Sequence, residues 1–168
     1  MDFYILKEEV VKSLNLTLGV VEKRQTLPIL SNVLMEVDES SLRFTATDLE
    51  SEITTTSTIS NFKSGGKITA PARKLNDLCR LLPDLTEIHF FLDGDNLNIE
   101  THSGKYNLST LPSDDFPSFE IEDIDSQINI SSENLSMLIS KTSFAMGNQD
   151  WRHYLNGLFI SIDDKNIT

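Results

Sequence analysis

The sequence predicts an α+β fold in which helices and antiparallel strands occupy separate stretches of the chain. Two observations carry this. Apolar residues recur at three- and four-residue intervals in three stretches, the signature of one buried helical face. Between those stretches the apolar residues alternate with polar ones and are joined by turn residues, as in half-buried strands. The composition permits such a fold: 168 residues, 39% hydrophobic and 24% charged, with 7 Gly and 5 Pro. Those values exclude disordered, collagen-like and low-complexity chains.

Taken in chain order, Val10, Val11, Leu14 and Leu18 form the first helical stripe, over residues 7–18. Val33, Met35 and Val37, then Leu42, Phe44 and Ala46, alternate as two strands. A second helix is expected from Pro71, suited to a first helical position, to the stop at Pro83. Its apolar stripe is Leu75, Leu78, Cys79 and Leu82, and its water-facing stripe is Arg73, Asn76, Asp77 and Arg80. Ile88, Phe90 and Leu92 alternate next, followed by strands holding Leu97 with Ile99 and Tyr106 with Leu108. Asp93-Gly94-Asp95 and His102-Ser103-Gly104 supply the turns, so this part reads as an antiparallel meander. Residues 112–125 carry six acids and two prolines without a base, and read as an extended acidic connector. Ser131 and Ser132 then cap a third helix over residues 131–145, striped by Leu135, Leu138, Ile139 and Thr142.

Displacing the chain on itself by 125 residues superposes these patterns. Phe3 falls on Ile128, Val10 on Leu135, Leu14 on Ile139, Leu30 on Leu155, Met35 on Ile160 and Val37 on Ile162, without a gap. Two related units are therefore expected, residues 1–125 and residues 126–168. On this reading the first is complete. The second holds one helix, one strand and the start of the next, too little to bury a core unaided.

The net charge is −12, from 14 bases and 26 acids. Its distribution is uneven. Residues 7–24 and 71–80 together hold seven bases against four acids, which leaves −15 for the remainder. Positive charge is gathered on the helices. No uncharged apolar run is long enough for a membrane span, and Met-Asp-Phe-Tyr lacks the basic start of an export signal, so a cytoplasmic protein is expected. One cysteine, Cys79, excludes a disulfide framework and any multi-cysteine metal site.

Nothing nominates a catalytic centre, a metal or a cofactor. Asp48, Glu50 and Glu52 are spaced as solvated residues on one face of a strand, and Asp93 and Asp95 flank a turn. His89, His102 and His153 lack metal-ligand spacing, and Gly65-Gly66-Lys67 lacks the pattern of a phosphate loop. Cys79 belongs to an apolar stripe and reads as a buried, inert thiol. The basic positions are more informative. Arg24 ends the first helical region, and the 125-residue displacement sets it opposite Gln149, ahead of Arg152, His153 and Tyr154. Equivalent corners of two repeats thus offer side chains suited to phosphate, though solvated loop residues would look the same.

Thr26-Leu-Pro-Ile-Leu-Ser-Asn32, Thr47-Asp-Leu-Glu50, Pro71-Ala-Arg-Lys74, Leu108-Ser-Thr-Leu-Pro112 with Asp115-Phe-Pro117, and Tyr154-Leu-Asn-Gly157 resemble the bacterial DNA polymerase III beta subunit, the sliding clamp. The resemblance runs from Met1 to the end and implies the DNA-clamp fold, with antiparallel sheets outside and helices lining an inner face. Clamps of this family have three similar domains per chain, two chains closing head to tail into a ring. The chain therefore resembles the first domain and the opening third of the second.

The implied function is processivity: a ring encircles duplex DNA and tethers the replicative polymerase without covalent chemistry, through sequence-independent phosphate contacts. By matching position, Arg24, Arg73, Gln149, His153 and Tyr154 are the implied DNA contacts, His153 departing from an expected tyrosine. Leu155 matches one wall of the family's pocket for linear peptide motifs of DNA polymerase III and the clamp loader. Lys74, Tyr106 and Leu108 match the edge that meets the other subunit of the homodimer, although Tyr106 and Leu108 also read as plain strand residues. Two other classes are to be weighed: a protein-interaction module that binds no DNA, and an enzyme built on Asp48, Glu50 and Glu52.

Overall fold

Strand β1 (Asp2–Leu6) runs directly into helix α1 (Lys7–Thr17). The alternation Phe3, Ile5 drives its pairing, both side chains being fully buried. In the computed structural model, which describes residues 1–21, 27–117, 128–163 and 167, the chain forms two compact units, Met1–Glu120 and Ile121–Thr168. The expected boundary at 125 lies outside the described residues.

The first unit contains two antiparallel sheets. One has five strands in the order β5-β1-β7-β8-β9, from β5 (Asn61–Ser64), β7 (Glu87–Asp93), β8 (Asn96–Thr101) and β9 (Gly104–Ser109) with β1. The other has four in the order β4-β3-β2-β6, from β2 (Asn32–Val37), β3 (Ser41–Thr47), β4 (Glu52–Thr58) and β6 (Gly66–Pro71). Register follows the apolar alternation. Phe3 pairs with Phe90 and Phe90 with Ile99, while Met35 is flanked by Phe44 and Ile68. A one-residue slip would turn each of these rows to the opposite face. The meander turns fall at Gly94-Asp95, where Gly94 has φ +54°, and at His102-Ser103.

Helix α1 lies over β3 and β4 and against α2 (Ala72–Leu81), which meets β2 and β6. Both helices and both sheets contribute to one core, from Val10 and Leu14 through Leu75 and Cys79 to Leu97 and Ile99.

Several expectations are corrected. Pro71 is not the first residue of the helix; it ends β6, paired with Asn32, and the helix begins at Ala72. Asn76 is buried rather than water-facing. Asp48 and Glu50 are not on a strand face: Asp48 Oδ1 accepts the N–H groups of Glu50 and Ser51 and closes a turn before β4. The connector is not free at its start either. Leu111 bridges Thr69, residues Ser113–Asp115 form a 3-10 turn, and Phe116 is buried. Strands β4, β5 and β6 are absent from the sequence expectation, β4 because Glu-Ile-Thr-Thr-Thr-Ser-Thr has no apolar alternation. Its β-branched threonines were the available signal.

In the second unit a helix, a 3-10 turn and one bridge recur at the 125-residue displacement, whereas no strand forms at the described counterparts of β1 and β2, so the strand expected there is not present among the described residues. Helix α3 (Ser132–Thr142) stands 125 positions after α1. The 3-10 turn His153–Asn156 stands 125 after Pro28–Ser31. The bridge Ile162 to Ile167 stands 125 after the pair Val37 to Leu42. Ser131 caps α3, its side chain accepting from the Asn134 N–H at 3.2 Å. The helix has no fully buried residue.

Candidate functional site

The basic residues of the first unit separate into engaged and available ones. Lys7 is engaged: its ammonium donates to the Leu82 carbonyl and to Asp84, each at 2.7 Å, and so ties α1 to the turn after α2. The positive sum of that segment thus overstates what α1 offers a ligand. Lys12 is exposed on the same helix. On α2, Arg73, Lys74 and Arg80 are exposed because Ala72, Leu75 and Cys79 take the side facing the core. Arg80 in the last turn also complements the negative end of the helix dipole.

Arg73 has a defined partner. Its guanidinium donates to the carbonyl oxygen of Val21, four positions past the end of α1. One N–H of the fork thus holds the chain just ahead of the segment that carries Arg24, which itself lies outside the described residues. The remaining donors of Arg73 have no partner among the described residues.

In the second unit Gln149, His153 and Tyr154 share one loop. The loop is braced from within: Gly147 N–H donates to the Leu155 carbonyl at 2.7 Å, and the Asn156 amide both accepts from the Asp150 N–H and donates to the Asp150 carbonyl, each at 2.9 Å. A Cβ on Gly147 would come within 3.1 Å of Asn156 Oδ1 and the Leu155 carbonyl, so glycine allows this closure. Arg152 grips Asp150 through two nitrogens at 3.1 and 3.0 Å, and that side-chain pairing, with the Arg152 N–H, holds the Asp150 carboxyl below its ordinary range. With the interior of the loop so occupied, Gln149 at φ +57°, His153 and Tyr154 are left outside, Tyr154 being 77% exposed. Trp151, not singled out from the sequence, is also exposed, with the Arg152 guanidinium 5.7 Å from its ring.

Leu155 is half-buried on the same 3-10 turn. A separate apolar groove of about 110 Å³ in this unit is lined by the α3 stripe with Leu158, Phe159 and Ile160. Tyr106 and Leu108 are on β9, the outermost strand of the five-stranded sheet. Leu108 packs on the core while Tyr106 stays partly exposed, its ring so close over Gly104 that a Cβ there would stand 2.9 Å from the phenol oxygen. Lys74 is exposed in the first turn of α2.

Among the described residues no three His, Cys, Asp or Glu side chains converge as for a metal ion, and no helix is long and apolar enough to cross a membrane.

Residues 1–120 match the family described as DNA polymerase III beta subunit, N-terminal domain. The chain is 41% identical over 163 residues to a beta sliding clamp of Vibrio cholerae, covering 97% of this chain and 44% of that protein. It is 42% identical over 163 residues to one of Pseudomonas aeruginosa, with the same coverage. It thus spans about 44% of the length of these curated relatives. Among solved structures it is similar to the Pseudomonas aeruginosa DNA polymerase III subunit beta bound to griselimycin, with a TM-score of 0.92 at 42% identity over 97% of this chain and 44% of that one. A Caulobacter crescentus pol III beta structure gives a TM-score of 0.90 at 36% identity, over 99% and 45%. With its two antiparallel sheets, its helix pair and a match that takes in the whole first unit, the chain belongs to the DNA polymerase III beta subunit family, the bacterial sliding clamps.

Proposed function

We propose that this chain serves as part of a ring-shaped processivity factor, encircling duplex DNA and tethering a replicative polymerase. The observation that carries the reading is the sorting of charge. In a chain of net charge −12, the solvent side of α2 presents Arg73, Lys74 and Arg80, and the braced loop of the second unit presents Gln149, His153 and Tyr154. Arginines pair with phosphate oxygens, and Gln149 and Tyr154 donate single hydrogen bonds, all blind to sequence. A tether has to slide, so weak contacts of this kind suit it, and acidic outer surfaces keep DNA to the lining. Arg24 completes the proposed set by its position in the sequence. The role is one of binding, not covalent chemistry.

Partner contacts are part of the same reading. Leu155 forms one wall of a pocket for linear peptide motifs of DNA polymerase III and its clamp loader. Lys74, Tyr106 and Leu108 form the edge that meets a second copy head to tail, β9 having a strand on one side only among the described residues.

The test is retention on DNA by the protein at the full length of its curated relatives, with a clamp loader and ATP. Retention on nicked circular duplex that is lost on linearisation supports the reading. Equal release from both forms sinks it and favours a protein-interaction module.

A further inference from the structure

A cavity of about 350 Å³ opens between α1 and α2, lined by Asn15, Leu18, Arg73, Asn76, Asp77 and Arg80. Its polar wall holds two guanidiniums and two carboxamides against one carboxylate. Asn76 is the unexpected member. It is 3% exposed, and its amide oxygen is buried with no hydrogen-bond donor on it among the described residues. A buried acceptor left unpaired is a desolvation cost that proteins ordinarily avoid. Leucine at this position would remove the cost at nearly the same volume and suit the helix better. With its oxygen turned into the protein, what the Asn76 amide can offer the cavity is its NH2 donor.

We infer that this cavity is a seat for one phosphate group of a nucleic-acid backbone, with Asn76 as an interior donor beside Arg80 and the free part of the Arg73 fork. The choice of ligand rests on the DNA reading above. The seat itself rests on the cavity and the buried amide. A planar carboxylate is satisfied by one guanidinium fork. Donors at different depths along α2, with the Asn15 carboxamide of α1 lining the same cavity, suit a tetrahedral oxyanion, which accepts from several directions. Asp77 offsets one guanidinium, so the seat carries one net positive charge and holds a phosphate loosely, as sliding requires.

The experiment compares the 168-residue chain with its Asn76→Leu and Arg80→Gln variants. Amide chemical shifts are followed during titration with inorganic phosphate and with a short duplex at low salt, and thermal unfolding is recorded beside them. In the parent chain, phosphate is expected to move the amides around Asn76 and Arg80. Asn76→Leu should raise the midpoint of unfolding yet weaken phosphate and duplex binding about tenfold, the loss of one charge-assisted hydrogen bond. Arg80→Gln, an exposed change that leaves folding intact, should weaken duplex binding and lower its salt slope by about one. Shifts absent from this cavity, or unchanged affinity in both variants, overturn the proposal. Absent shifts combined with intact retention on nicked circles overturn the seat alone. Shifts present without such retention support the seat and remove the clamp reading.

Discussion

The hydroxyls of Ser13 on α1 and Ser57 on β4 are 2.6 Å apart and both residues are buried. Ser57 also donates to the Glu9 carbonyl at 3.0 Å, so its single proton is committed there and Ser13 is the donor between the two hydroxyls. Helix and edge strand are thus joined by a two-step relay of hydroxyls. Ser57→Ala strands the Ser13 donor and is expected to cost about 1–3 kcal/mol, whereas Ser13→Ala leaves Ser57 satisfied and costs about 1 kcal/mol. The double variant should be less destabilised than the two changes added together. Urea unfolding of the three variants checks this, and strict additivity would refute the relay.

Leu85 has φ +60° with 80% of its surface exposed. A left-handed backbone costs a side chain with a Cβ about 1–2 kcal/mol, and this leucine recovers little by burial. Leu85→Gly keeps the Leu85 N–H to Glu8 bond of 2.7 Å and should raise stability by up to about 1 kcal/mol, net of the freedom glycine gains when unfolded. A lower unfolding midpoint would contradict it.

Asp2 links the chain start to pH. Burial pushes its carboxyl up, but the hydrogen bond and charge of His89, with the Lys63 ammonium, outweigh burial and hold it below the ordinary range. A depressed folded value stabilises the fold above the unfolded carboxylate value of about 3.9, and this contribution is lost as pH falls through the folded value. Asp2→Asn should therefore flatten the acid limb of the stability profile below about pH 4 while changing its shape little near neutrality. Stability measured by denaturant between pH 2 and 7 reads this directly.

Burial pushes the Cys79 thiol up to about 12, outweighing the opposing charge of Lys7. The thiol is expected to ignore a disulfide reagent at pH 8 in the native state and to react at a rate set by unfolding. Labelling across a urea series should track the loss of helical signal. Fast labelling without denaturant would show that α2 opens on its own.

Much of this architecture is legible from local pattern. Period-two alternation picked out Met35, Phe44, Phe90 and Ile99, and the structure buries all four. Helical spacing located Leu75 and Cys79 correctly but not Asn76, because periodicity assigns a side chain to a face without knowing how far a neighbouring helix overlaps that face. Asp48 was misread since a carboxylate two residues from another looks the same on a strand as in a turn, until the backbone N–H groups it accepts are known. The threonine-rich β4 is hidden because, beyond its pairing with β3, it meets α1 through hydroxyls rather than through an apolar row.

For the candidate site the division is similar. Arg73 and Arg80 on one stripe, and Gln149 with His153 and Tyr154 within six residues, follow from spacing alone. That Lys7 is tied to Leu82 and Asp84 while Arg73 reaches Val21 does not, since those partners lie 52 to 77 positions away.

By itself the sequence determined the α+β class, the three helices, the strands with apolar alternation and the family, because each of these is written in short-range periodicity or in motif order. Tertiary structure alone decided which polar groups are consumed internally and which stay available, as with Asn76, Lys7 and the inner side of the Gln149 loop. Hydrogen bonds and burial between distant segments settle that question, and spacing along the chain does not encode them.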